Sequence, residues 1–433
     1  MSKILKLIFF LVFITSCSFH KNSNFWNKEK ITLEKNKITK KIFKNQIGIN
    51  LELNPNLKIN ITEALIKNSF VNNLDNNNGR INYDGNLKNK LKYKFSKIKN
   101  FNQYEPKIIF NENNIIFFDS KGSILNFDNN SNLLWKKNYY SKSEKKLNPI
   151  LFFASNKGVL IVADNISKLY ALDVKTGELL WTKRNNAPFN SQIKIYKDKF
   201  YVIDFENTLR SYLIKNGEVF WSVATEKKLI RSQKKLSMVI KNDNIYFNNS
   251  LGVISSVSIN TGQLLWQTPT EKSIIYDESF FLKMSELIGS ENSLFFSNNK
   301  NKFVSLDMIS GNINWEQKIN SSLTPTLIGD YLFTVSENGY LFVIEKKTGN
   351  IIRINDIFGS YKNKLRGKIY PTGFVVGMNN IYLTTSHGRL LVVNINSGTN
   401  QSTLKIDKNK ISRPLILNKD MFIITDNSII RLN

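Results

Sequence analysis

Five tryptophans, Trp135, Trp181, Trp221, Trp266 and Trp315, stand 46, 40, 45 and 49 residues apart, and each closes a similar phrase. Residues 168–181 read KLYALDVKTGELLW, 207–221 NTLRSYLIKNGEVFW, 252–266 GVISSVSINTGQLLW and 302–315 KFVSLDMISGNINW. A looser copy, GSILNFDNNSNLLW, covers 122–135. Two later copies, at 339–352 and 388–401, keep a glycine (Gly349, Gly398) and lose the tryptophan. A period of 40–50 residues suits one four-stranded propeller blade. Solenoid repeats are shorter, and a stacked sandwich has no cause to repeat its sequence.

Each copy reads as a hairpin. In Leu169-Tyr170-Ala171-Leu172-Asp173 the side chains alternate between sheet faces, as a strand requires. Thr176-Gly177 then turns the chain, because glycine accepts the positive φ of a tight turn or bulge. Gly217, Gly262 and Gly311 hold the same place in their copies. The strand that runs back ends on the tryptophan, whose indole is expected to fill the wedge between neighbouring blades. Asp173 and Asp307 stand where a side chain caps such a turn. Two further short strands fit between copies, for example 158–163 and 199–204, which makes four per blade.

Seven outer strands can be counted from Trp135 to the copy that ends at Gln401. The segment 413–433, RPLILNKDMFIITDNSIIRLN, supplies three more strands and no outer one, whereas KLKYKFSKI at 90–98 is a strand without a blade. Pairing the two closes an eighth blade and removes a free sheet edge. The expected fold is therefore an all-β, eight-bladed propeller of PQQ-like (WD-like) repeats, closed by an N-terminal strand joining the last blade. Seven blades is the alternative count.

The chain opens with MSKILKLIFFLVFITSC: a basic start, an apolar run, then small residues before Cys17. That is the layout of a signal peptide, too short for a spanning helix. Residues 14–17 resemble the bacterial lipobox, which implies lipidation of Cys17, and Ser18 after it implies sorting to the outer membrane. Cys17 is the only cysteine, so no disulfide is expected. The expected organisation is a lipoprotein signal peptide over 1–16, a basic Asn/Lys-rich tether over 17–88 and the propeller over 89–433. A short helix is readable at 62–71.

The formal charge is +27. Residues 17–100 carry 17 Lys/Arg against 6 Asp/Glu, a net of +11, so the tether is the most basic stretch. The cations form no arginine-rich tract and no helix stripe, and the bias to Lys, Asn and Ile runs through the turns as well. This describes a solvated surface, with attraction to anionic lipid or an acidic partner as the other reading, and no nucleic-acid partner is expected.

Enzyme chemistry finds little to stand on. There are two histidines, His20 in the tether and His387 in the turn Ser386-His387-Gly388, and no phosphate-binding glycine loop or nucleophile elbow. No metal site, cofactor or catalytic residue is expected. The repeat does resemble that of the pyrroloquinoline-quinone (PQQ) dehydrogenases, eight-bladed enzymes that are usually longer and often carry a vicinal cysteine pair.

A lipobox, a tether and eight such blades together resemble the BamB family, lipoprotein propellers of the outer-membrane β-barrel assembly machinery (the BAM complex). The resemblance covers the chain from about residue 90 to its end. It implies a non-catalytic scaffold on the periplasmic face that binds the periplasmic domains of the barrel-forming subunit, with unfolded outer-membrane proteins as candidate clients and the membrane reached through the lipid. Docking in that family uses two neighbouring loops, one with a leucine–arginine motif and one with paired aspartates. The first falls after Trp221, at Lys228-Leu229-Ile230-Arg231, where Ile230 and Arg231 match as an apolar–arginine pair beside Leu229; an exposed basic loop is the other reading. In the loop after Trp266 the aspartate pair does not align; Asp277 and Glu278 are acidic but displaced, and Phe280, Phe281 and Leu282 add apolar residues. Two other readings remain at this point: a PQQ-type propeller enzyme, and a lipoprotein binding an envelope polymer.

Overall fold

Strands that are apolar on both faces need a neighbour on each side, and the repeat supplies them by stacking sheets around a ring. The computed structural model describes residues 59, 61, 63, 65–69, 73–85, 87–88, 90–101, 103–104, 106–226, 232–271 and 280–433. These contain thirty-two strands in eight four-stranded antiparallel sheets. Seven sheets take consecutive strands: β2–β5 (residues 109–137) form blade 1, and β6–β9 (151–184), β10–β13 (194–224), β14–β17 (238–269), β18–β21 (288–317), β22–β25 (326–356) and β26–β29 (371–405) form blades 2 to 7. The eighth has the order β1-β32-β31-β30, in which β1 (Lys90–Lys94) pairs with β32 (Ser428–Leu432), from Lys90 opposite Leu432 to Lys94 opposite Ser428. The expected eight-bladed ring and its N-terminal closure are both present.

The core lies between blades. In blade 2, β7 (Val159–Asp164) and β8 (Lys168–Asp173) are almost wholly buried, whereas the outer β9 (Leu179–Arg184) is exposed except at half-buried Trp181. The register slips by one residue between Ala171 and Leu172, and at the matching place in the other six consecutive blades, so the glycine turn does carry a bulge. Asp173 Oδ1 accepts from the Thr176 amide at 2.8 Å, and Asp307 Oδ1 from the Ser310 amide at 2.7 Å. Both aspartates cap their turns.

Each tryptophan reaches the next blade. Trp181 stacks on Phe200 with ring centroids 6.1 Å apart, and its indole donates to the Ile214 carbonyl at 2.8 Å. Trp221, Trp266 and Trp315 donate likewise to Ile259, Met308 and Lys346. The ring lies against the turn glycine of that next blade: a Cβ on Gly217 would sit 2.6 Å from Trp181. Where the tryptophan is lost, other side chains span the same gap. Arg353 holds its place in blade 6 and donates to the Asn396 carbonyl. At the closure Leu91 holds the place by register, and Tyr93, two residues on, reaches blade 1 with its hydroxyl donating to the Asn129 carbonyl at 3.1 Å.

The segment leading into β1 is threaded across the ring. Ser69 pairs with Ile416 of blade 8, the Leu74 carbonyl accepts from Ile240 of blade 4, and that of Asp75 from Gly289 of blade 5. Asn77 exchanges hydrogen bonds with Leu327 of blade 6, and Ile81 donates to Val376 of blade 7. The described part of the expected tether is thus packed on the propeller. The expected helix at 62–71 is not found among its described residues. Ile66 is instead extended, in a parallel bridge to Ile81, because its backbone groups bond Arg80 and Asn82.

Candidate functional site

Two places qualify, the outer-to-inner connections between blades and the central channel. The connections carry the expected docking residues. Leu229, Ile230, Arg231, Asp277 and Glu278 lie outside the described residues, as does Cys17. The described chain fixes where these connections start and end. Residues 225–237 join β13 to β14 and 270–287 join β17 to β18. Both run from an outer to an inner strand on consecutive blades, so both leave the ring on one face. Their roots touch, the Ser232 hydroxyl donating to the Leu282 carbonyl at 2.5 Å. Phe280 and Phe281 are 50% and 64% exposed and meet edge to face, with centroids 5.4 Å apart. Leu282, expected to add apolar surface beside them, is buried in the cluster between blades 4 and 5 instead. The stretch 280–283 forms no strand.

The channel holds a site that was not expected. Its wall comes from segments just before, or early in, the innermost strands, and its floor from Asn73, Asn76 and Asn78 of the threaded segment. Asn76 is the keystone of that floor. Its amide donates to the carbonyls of Met238 (2.9 Å) and Leu287 (2.8 Å), while its oxygen accepts from Lys194 at 2.5 Å. Lys194 is buried beneath the floor and also donates to the Asn73 carbonyl. Burial, with Lys107 adding repulsion, lowers its pKa to about 7.

Five cations, Lys107, Lys234, Lys235, Lys410 and Arg413, line the pit, and Glu286 is the one carboxylate among its described lining residues. Glu286 accepts from Lys107 at 2.8 Å, lies 3.5 Å from Lys235, and takes the Thr324 hydroxyl at 3.3 Å. Burial opposes its ionisation, but Lys107 and Lys235 overcome that and hold it well below the usual carboxylate range. Arg413 donates to the Phe374 carbonyl at 2.9 Å, with its side chain packed against Gly373, where a Cβ would sit 2.4 Å away. These residues come from blades 1, 4, 5, 6, 7 and 8, or the segments leading into them. No local motif joins them, so sequence reading passed over them; the excess of lysine was the only signal, and it was spread too widely to point here.

This pit does not suit a quinone with its calcium ion. Such a site needs several oxygen ligands around a cation, and here the carboxylate is already held by two lysines. The cavity, about 80 Å³, is also far below the roughly 300–1,000 Å³ of cofactor pockets. Among the described residues no three His, Cys, Asp or Glu side chains gather as a metal site would require. His387 is exposed in its turn, with Nδ1 3.1 Å from the Ser386 hydroxyl.

Ring, struts and channel together define an eight-bladed propeller of the PQQ-like repeat class. Within that class, residues 120–355 match the family described as "Outer membrane protein assembly factor BamB". The chain belongs to this family. One stretch of 104 residues is 28% identical to the outer membrane protein assembly factor BamB of Legionella pneumophila (strain Paris). It covers 23% of this chain and 25% of that protein, so the chain spans about a quarter of that curated relative's length. Among solved structures, BamB from Moraxella catarrhalis superposes with a TM-score of 0.63 at 16% identity, over 79% of this chain and all of that one. A europium-containing methanol dehydrogenase reaches the same TM-score at 11% identity, over 82% of this chain and 88% of its own. Scaffold and enzyme share the ring, so the ring alone does not choose between them.

Proposed function

We propose that this protein is a non-catalytic scaffold of the outer-membrane β-barrel assembly machinery, held by a lipid on Cys17 at the periplasmic face of the outer membrane. The observation that carries the reading is membership of the BamB family over residues 120–355. In this reading Leu229, Ile230 and Arg231 in one connection, with Asp277 and Glu278 in the next, contact the periplasmic domains of the barrel-forming subunit. An arginine set among apolar neighbours is a common interface anchor. The exposed pair Phe280 and Phe281 within the second connection adds apolar surface on the same face. Unfolded outer-membrane proteins are the candidate clients, reached through the subunit to which the scaffold is bound.

No helix of the described residues is long and apolar enough to cross a membrane. Attachment through acyl chains at Cys17 fits that observation. The test is a crosslinked pull-down from membranes with the full chain and with Arg231→Glu. Recovery of a large β-barrel subunit by the first and its loss with the second supports the assignment. A pull-down that recovers no barrel-assembly subunit overturns it.

A further inference from the structure

The channel pit is blind. Among the described residues Asn73, Asn76 and Asn78 close it at one end, which leaves the end where the connections between blades run into the inner strands for a guest to enter. About 80 Å³ holds roughly five water molecules. That admits the end of an extended chain or a small ion, but not a hairpin and not a strand passing through. Charge then selects which end. Five lining cations stand against one lining carboxylate, with Glu337 facing Lys234 and Asp75 facing Lys194 as further acidic groups, so cations outnumber carboxylates at the described pit. An N-terminal ammonium is repelled by this field and a carboxylate is drawn in. Part of the remaining wall is apolar, with Phe101, Leu323, Leu415 and Ile424 beside Ser322, Thr372 and Ser412. A free phosphate or acetate would meet the cations and leave that wall unmatched.

We infer that the pit binds the C-terminal carboxylate of an extended polypeptide whose last side chain is apolar. The carboxylate meets the lysine cluster and the terminal side chain lies on the apolar wall. This inference stands apart from the docking reading, which rests on other residues.

The test uses the purified full-length protein and fluorescence anisotropy. The probe is a dye-labelled hexapeptide ending in leucine, as the free acid and as the C-terminal amide, with inorganic phosphate as competitor. The acid is expected to bind at least about tenfold tighter than the amide, the difference one charge-assisted hydrogen bond makes. Its affinity is expected to fall about tenfold in a Lys234→Gln/Lys410→Gln double variant, and to rise in Glu286→Gln, which adds to the positive field. The double variant leaves the Lys107–Glu286 pair in place, so it reads the charge effect even where Glu286→Gln fails to fold. Equal affinities for acid and amide overturn the inference. So does phosphate binding as tightly as the peptide acid, which marks a generic anion site, or an unchanged affinity in the double variant.

Discussion

Substituting Gly217 with alanine tests the strut between blades, because two separable penalties meet there. The first is conformational. Gly217 has φ +68°, and a Cβ in the left-handed region costs about 1–2 kcal/mol. The second is steric. The new Cβ would stand 2.6 Å from Trp181 Cζ3 and 2.7 Å from Cε3, inside van der Waals contact, and overpacking of this kind costs about 1–3 kcal/mol. Gly158 separates the two, since it has φ +80° but nothing within 4 Å of an added Cβ. Gly158→Ala should therefore lose about 1–2 kcal/mol, and Gly217→Ala about 2–5 kcal/mol. Urea unfolding followed by tryptophan fluorescence and by far-ultraviolet circular dichroism measures both; coincidence of the two probes licenses the free energies. Trp181→Ala completes a double-mutant cycle. In that background the ring is gone, and Gly217→Ala should cost no more than Gly158→Ala does. Equal losses at Gly217 and Gly158 in the parent chain would refute the idea that the turn glycine is there to receive the indole.

Other outcomes follow from the same geometry. Lys194 holds its proton to pH 10.5 when unfolded but only to about 7 when folded. Between those values the unfolded chain binds more protons, so stability should rise with pH, and the slope should vanish below about 7. The gain, on the order of 2 kcal/mol from pH 7 to 9, should disappear in Lys194→Met, as urea titrations at the two pH values would show. Asn76→Ala strips donors from the Met238 and Leu287 carbonyls and should cost about 1–3 kcal/mol, with faster amide exchange at Ile240 and Gly289. Deleting residues 90–94 leaves β32 as a free edge, and size-exclusion chromatography should then show oligomers or aggregates. Cys17→Ala should move the protein from the membrane fraction to the soluble one, and unchanged fractionation would remove the lipid from the proposed function.

Much of the ring was legible because its cause is local. A strand of alternating side chains, a capped glycine turn and a return strand ending on tryptophan are decided within fifteen residues, and repetition made them stand out. The eighth blade was readable from a mismatch, a lone strand expected at 90–98 (it spans 90–94) and three strands at the C-terminus with no outer partner. The strand register corrected a detail: the position matching tryptophan in blade 6 is Arg353, which now spans the gap with a guanidinium. The stretch that became the channel floor was harder. Residues 73–81 have no period of their own, and they are ordered by backbone groups of inner strands more than 150 residues away. A tether and a threaded segment look alike until the edges they bond to are in place.

The amino-acid sequence by itself determined the repeat and its turn chemistry, since these follow from hydrogen bonding and side-chain alternation between near neighbours. The count of eight blades and the closure were readable as an expectation that the pairing of residues 90–94 with 428–432 decided. Tertiary structure alone decided the channel. Lys107, Lys235, Glu286 and Arg413 have no relation along the chain, and they meet only because eight inner strands converge on one axis. The physical reason lies in range: turn and strand preferences act over a few residues, whereas the field of a buried charge cluster depends on distances that exist only after the ring has closed.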